Sequence, residues 1–269
     1  MLDYGKNINE AVFCAVDLET TGVNPLLHHI VEVGLVKFTR EKVIETYECL
    51  VNPGTSIPEE VIRIHGITDD MVAGSPSIME IIGTVSEFIG DSYLVIHNPA
   101  FDLAFLDASY RKGGMDASSL IAFDTVRLAR KTFPYFDNHK LTTLSRHFNL
   151  SGTSHRALSD ACCCMEIFRR VVANPGPHKM KTMGDLLGYH GSLIRPGPKK
   201  AVKRQRIHPG LMIGRMARIR YEDNDGNITV RDIVPKEFIT QGRKSYLFAH
   251  CYLRREDRYF RTESILEVL

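Results

Sequence analysis

The chain contains no tryptophan, so a Trp-Tyr-Leu tripeptide occurs nowhere in it. It has no run of about 18 apolar residues, which excludes a readable membrane-spanning helix. The N-terminus lacks a basic stretch followed by an apolar one; with no secretory signal to read, a cytoplasmic protein with no membrane partner is expected. Six cysteines are present without a single CxxC pair. Cys162, Cys163 and Cys164 are consecutive and point in different directions around a helix, so they cannot converge on a metal and read as reduced packing residues. Asp223-Asn224-Asp225-Gly226-Asn227 faintly resembles a calcium loop, but Val234 stands where the closing Glu is required. That segment reads as a hairpin turn.

What is present is an ordinary soluble composition, with 25% charged and 43% hydrophobic residues in a chain of 269. This length allows one large or two smaller domains with cores of their own. Net charge hides an asymmetry: residues 1–175 hold 15 Lys and Arg against 22 Asp and Glu, and residues 176–269 hold 19 against 10, so +2 combines −7 with +9. An acidic module joined to a basic one fits a nucleic-acid enzyme whose second part attracts phosphate; a basic surface that only keeps the chain soluble is the other reading.

Along the chain, Val12 to Leu18, Ile30 to Phe38 and Val43 to Leu50 read as an antiparallel meander of strands. Short helices follow at Pro58 to Ile64 and Asp69 to Val72, then a longer one from Ser77 to Ile89, with Pro76 at its entry. Tyr93 to His97 is a short strand leading into a helix from Ala100 to Arg111, for which Asn98 is the expected N-cap and Pro99 the first position. A strand at Ile121 to Phe123 and helices to Lys131, from Leu141 to Phe148 and from Arg156 to Val172 complete a module of mixed sheet and helices, an α/β class.

Asp17 and Glu19 are two apart on the first strand and therefore share a face. Side by side they repel, which a divalent cation with oxygen ligands relieves; a solvated strand edge is the plainer alternative. Asp102 falls in the first turn of the helix after the fourth strand, where it also suits the helix dipole. Asp160 lies early in the last helix of the module, and His155 five residues before it in the preceding loop.

These residues carry a resemblance. Asp17-Leu18-Glu19-Thr20-Thr21, His97-Asn98-Pro99-Ala100-Phe101-Asp102 and His155-Arg156-Ala157-Leu158-Ser159-Asp160 are similar, in order, to the three motifs of the DEDDh 3'-5' exonucleases, a family that includes the proofreading epsilon subunit of bacterial DNA polymerase III. The likeness spans residues 8 to 173 and takes in Ile64-His65-Gly66-Ile67-Thr68. It implies a ribonuclease H-like mixed sheet flanked by helices. It further implies two Mg²⁺ or Mn²⁺ ions held by Asp17, Glu19, Asp102 and Asp160, with His155 as general base. Contacts to the terminal nucleotide are expected from Leu18, Thr20, Thr21, His65, Asn98 and Phe101, although Phe101 also suits a core, Asn98 a cap and His65 a loop hydrogen bond. Implied partners are single-stranded nucleic acid, DNA in preference to RNA, and a DNA polymerase or repair protein.

Residues 176–206 have linker texture, with Arg195-Pro196-Gly197-Pro198 followed by a basic run to Arg206, and a short helix at Met183 to Tyr189. The boundaries expected are 1–175, 176–206 and 207–269. The last segment reads as strands at Ala217 to Tyr221, Ile228 to Ile233, Ser245 to Tyr252 and Arg258 to Arg261, a small all-β domain. It resembles a WYL domain, a barrel-like module, with Ser245-Tyr246-Leu247 in place of the namesake tripeptide. That likeness implies nucleic-acid contacts from Tyr246, Arg254, Arg258 and Arg261, unless the arginines are the wet face of a strand or the domain senses a ligand.

Overall fold

The computed structural model describes residues 3–25, 27–150, 155–173, 180–196, 210–222, 227–241 and 244–269. The chain divides into two compact units, Met1–Gly197 and Pro198–Leu269. In the first, strands β1 (Phe13–Thr20), β2 (Ile30–Phe38) and β3 (Val43–Leu50) form the antiparallel meander, and β4 (Tyr93–Ile96) and β5 (Ala122–Asp124) add in parallel on the other side of β1. The strand order is β3-β2-β1-β4-β5. The helices are α1 (Glu59–His65), α2 (Asp69–Val72), α3 (Ile78–Ile89), α4 (Ala100–Lys112), α5 (Thr125–Thr132), α6 (Leu141–His147), α7 (Ala157–Ala173) and α8 (Met183–His190).

Alternation along β1 decides what each sheet face buries. Phe13 and Ala15 join the core under α5, α7 and α8, while Cys14, Val16 and Leu18 join the core under α3 and α4. Asp17 and Glu19 continue the Phe13 and Ala15 series toward α7. The edge strand β3 is mostly exposed and carries Glu45 and Glu48, charges that discourage edge-to-edge pairing. Helix α3 starts at a capping box in which the Glu80 carboxylate accepts from the Ser77 amide and hydroxyl, both at 2.7 Å. All six cysteines are free.

Two local expectations change. Asn98 does not cap α4: Pro99 is the N-cap, and Asn98 takes a left-handed φ of 66° with its amide donating to Asp124 Oδ1 at 3.3 Å. Residues 180–196, expected inside a linker, are built into the first unit. Helix α8 has its own capping box at Thr182 and Asp185, Leu186 is fully buried, and His190 Nε2 accepts the Asp124 amide at 2.8 Å. The boundary expected at residue 175 therefore falls inside this unit. The basic run from Lys199 to Arg206 lies outside the described residues.

The second unit is an antiparallel sheet of β6 (Ala217–Glu222), β7 (Ile228–Gln241), β8 (Lys244–Cys251), β9 (Glu256–Arg261) and β10 (Ile265–Val268), in the order β10-β6-β7-β8-β9. β6 alternates buried and exposed residues, and its inward Ala217, Ile219 and Tyr221 pack with Ile233, Leu247, Ala249 and Phe260. This unit is antiparallel and all-β, as expected, and no pairing joins β9 to β10 among the described residues. β7 runs on past Pro235, beyond the expected end at Ile233, because a bulge between Pro235 and Glu237 accommodates a residue without an amide hydrogen. Glu222 and Ile228 pair across β6 and β7; the hairpin turn expected between them falls on residues 223–226, outside the described residues.

Candidate active site

The five acid and base residues singled out from the sequence come together around the end of β1. Asp102, in the first turn of α4 and almost fully buried, accepts the Leu18 amide through Oδ1 at 3.2 Å, tying that helix to β1. Asp160 reaches the same place from the first turn of α7, held by its amide's 3.0 Å bond to the Arg156 carbonyl. Ligand atoms of Glu19, Asp160 and His155 lie within 4.8 Å of one another. His155 is exposed and has a left-handed φ of 49°, so it hangs at the rim while the acids sit inside.

The electrostatics are those of a crowded acidic pocket. Burial raises Asp17 well above the usual carboxylate range, and Asp102, Asp160, Glu19 and Glu32 push it further. Glu19 is raised to about 8 by burial and then by Asp160, Glu32 and Asp102, with Arg156 opposing. Burial lifts Asp102 to about 7 against the Leu18 amide, and Asp160 to about 6 against His155. Asp160 Oδ1 is buried without a hydrogen-bond partner among the described residues. Hard oxygen donors gathered this closely, one with an idle lone pair, fit divalent cations and little else.

The other expected substrate contacts divide by environment. Leu18 turns its side chain into the core and offers only backbone to the site. Thr20 Oγ1 donates to the Gly22 carbonyl at 2.7 Å, and Thr21 Oγ1 accepts the His29 amide at 2.9 Å; both threonines shape the turn after β1. His65 closes α1 rather than sitting in a loop: it is buried, Nδ1 accepts the Ile67 amide at 3.0 Å, and Nε2 has no partner among the described residues. Burial lowers its pKa. Phe101 is half-buried against Phe105 at 5.0 Å between ring centroids, and Asn98 is exposed.

Glu32 and the role of Arg156 went unnoticed in the sequence. Glu32 is fully buried on β2 and is gripped by Arg156, whose Nε lies 2.9 Å from Oε1. The signal was a lone acid in the otherwise apolar opening of β2, Ile30-Val31-Glu32-Val33.

On the second unit, Tyr246 and Arg261 are directly opposed across β8 and β9. Arg258, three residues from Arg261, takes the other face with Phe260 and lies 3.5 Å from Glu256. Arg254 is exposed in the turn before β9. The four expected contacts thus do not share one face.

Residues 14–168 match the family model described as Exonuclease. Residues 205–268 match the WYL domain model. The chain is 37% identical over 194 residues to the DNA polymerase III subunit epsilon of Treponema pallidum, covering 71% of this chain and 87% of that one. It is 37% identical over 160 residues to the PolC-type DNA polymerase III of Listeria welshimeri, covering 59% of this chain but 11% of the relative. The chain therefore spans about a tenth of the length of the PolC-type relatives it matches. In fold it is similar to E. coli Exonuclease I, solved in complex with a dA16 oligonucleotide, with a TM-score of 0.59, 14% identity, and 89% of this chain and 55% of that one covered.

Proposed function

The chain belongs to the exonuclease family, and from that premise we propose that it is a 3'-5' exonuclease that releases nucleoside monophosphates from the 3' end of single-stranded nucleic acid, DNA in preference to RNA. The observation that carries this reading is the convergence of Asp17, Glu19, Asp102 and Asp160 with His155 at one end of β1. These four carboxylates would hold two Mg²⁺ or Mn²⁺ ions, which supply hydroxide at neutral pH and charge compensation at the phosphate when bound.

The chain's own residues do the rest. His155 accepts the proton of the attacking water at a ring nitrogen, a task suited to imidazole. Its exposed place beside Glu19 and Asp160 supports that role. The place of His65 beside the Thr20 backbone supports a contact near the terminal nucleotide, and half-buried Phe101 supports contact with its base. Thr20, Thr21, the Leu18 backbone and Asn98 complete the set of contacts proposed for the terminal nucleotide, supported by their place next to the acids of β1 and α4. Tyr246 and Arg261 present a ring and a guanidinium on one sheet face, a pairing suited to bases and phosphate; Arg254 and Arg258 contribute charge alone.

The test is a 3'-labelled and a 5'-labelled single strand incubated with Mg²⁺ or Mn²⁺, alongside Asp102→Ala. Early loss of the 3' label by the parent and none by the variant is expected; simultaneous loss of both labels, or an active variant, sinks the proposal. A polymerase-associated proofreading role is a second reading, favoured by the two replicative relatives. Co-purification with a DNA polymerase checks it.

A further inference from the structure

The catalytic acids come from β1, α4 and α7, so the geometry of the site depends on how α7 is seated against the sheet. That seat is built by two residues of β2. Asp17 is the cross-strand partner of Gly34, and Glu19 that of Glu32, so Glu32 and Gly34 sit beside the two acids of β1. Gly34 lets the helix come in: a Cβ there would fall 2.2 Å from the Ala157 carbonyl carbon and the Leu158 nitrogen. Glu32 then holds what has arrived. Its carboxylate accepts Arg156 Nε at 2.9 and 3.2 Å and Nη2 at 2.5 Å, and Oε2 also accepts the Ala157 amide at 2.8 Å.

Glu32 is fully buried while the Arg156 side chain is 37% exposed, and an ion pair whose carboxylate is taken out of water adds little stability over apolar residues of the same volume, because desolvation offsets the attraction. What a two-pronged guanidinium grip adds is direction. Arg156 lies between His155, which turns away with its left-handed φ, and Ala157, which starts α7; the Arg156 carbonyl in turn accepts the Asp160 amide. Fixing Arg156 therefore fixes the base on one side and the acid on the other.

Resting on the proposed exonuclease reading, we infer that Glu32 and Arg156 are positioning residues: with Gly34 they form a dock that sets Asp160 and His155 against Asp17 and Glu19. Neither needs to touch the substrate. Displacing reacting groups by about 1 Å is enough to lose roughly 100-fold in rate.

The test uses the full chain. Arg156→Ala is expected to lower kcat about 100-fold with KM within about twofold. A few millimolar guanidinium chloride should restore part of that kcat, and calorimetric titration with Mn²⁺ alone should show weaker binding than in the parent. Arg156→Lys, which keeps the charge without the fork, should fall between. A folded Arg156→Ala protein with parental kcat, or one whose loss lies in KM, overturns the inference. If that variant does not fold, Glu32→Gln decides: kcat down at least tenfold at unchanged KM supports the dock, and parental kcat overturns it. Should the parent prove inactive on every strand, the exonuclease reading fails, while the Mn²⁺ titrations still test the positioning of Asp160.

Discussion

In the first unit, burial pushes Glu19, Asp102 and Asp160 up to about 8, 7 and 6. In the second, Arg218 holds Asp232, and Lys236 holds Asp257, below the usual carboxylate range. The same side chain is thus left unsatisfied in one place and satisfied in the other. Four acids gathered against each other, with Arg156 at their margin, repel one another and favour added positive charge. Acids matched to basic partners on an open sheet face leave none, as in Arg218 with Asp232 at 2.6 Å and Lys236 with Asp257 at 2.6 Å.

The sharpest way to break this contrast is Asp17→Asn. Removing one buried acid from the cluster should lower strand degradation by at least about 10³-fold, a loss typical when charge stabilisation at the reacting centre is removed. The same change relieves repulsion, so the metal-free protein at pH 8 should melt roughly 5 °C higher than the parent. Activity and stability moving in opposite directions mark a functional cluster; a fall in both would mean that Asp17 serves the fold.

The second prediction follows from linkage. An unfolded chain loses these protons near pH 4, while the folded unit keeps them to about 6, 7 and 8 on Asp160, Asp102 and Glu19. Their folded values are raised, so the stability they contribute is complete below about pH 4 and is lost as pH rises through 8. In EDTA the melting midpoint should fall by several degrees between pH 5.5 and 8.5, and Mn²⁺ should reverse the fall at the alkaline end. A flat profile would remove the idea of an unsatisfied acidic pocket.

The third concerns the other half. The double variant Tyr246→Ala, Arg261→Ala should raise KM for a single-stranded oligonucleotide about fivefold with kcat unchanged, and should make the salt dependence of binding shallower by roughly one phosphate contact. An unchanged salt slope would detach the second unit from nucleic acid and favour a ligand-sensing role.

What was legible in the sequence was whatever depends on spacing. Asp17 and Glu19 share a face because strands repeat every two residues, and the position of Asp160 followed from the start of α7. Glu32 was hidden because its partner lies 124 residues away, and a buried Glu becomes intelligible only when Arg156 arrives. Asn98 misled for the opposite reason. Asn before Pro is a good local cap signal, but Asp124, brought alongside by the parallel pairing of β4 with β5, takes the Asn98 amide and leaves that residue in a left-handed turn. The arginines of the C-terminal unit looked like one stripe, yet three residues separate Arg258 from Arg261, and an odd spacing on a strand divides them between faces. Helix α8 was visible, but its attachment was not, since His190 meets Asp124 across 66 residues.

The smallest expected effect tests the satisfied side of the contrast. Lys236 and Asp257 lie in contact on the sheet surface with side chains 46% and 37% exposed, and His250 Nδ1 reaches the same carboxylate at 3.0 Å. Because Asp257 is depressed, its contribution is present above its unfolded pKa of about 4 and disappears only as pH falls below that, outside the range in which the acidic pocket titrates. Exposed pairs are worth at most about 1 kcal/mol and are screened by salt, and His250 remains when the lysine is removed. Lys236→Ala should therefore shift the melting midpoint at pH 8 by about 2 °C or less, and by nothing measurable at about 0.5 M salt. A shift of more than about 5 °C that persisted in salt would mean that the Asp257 carboxylate is left unsatisfied without its lysine, and the two halves would no longer differ in kind.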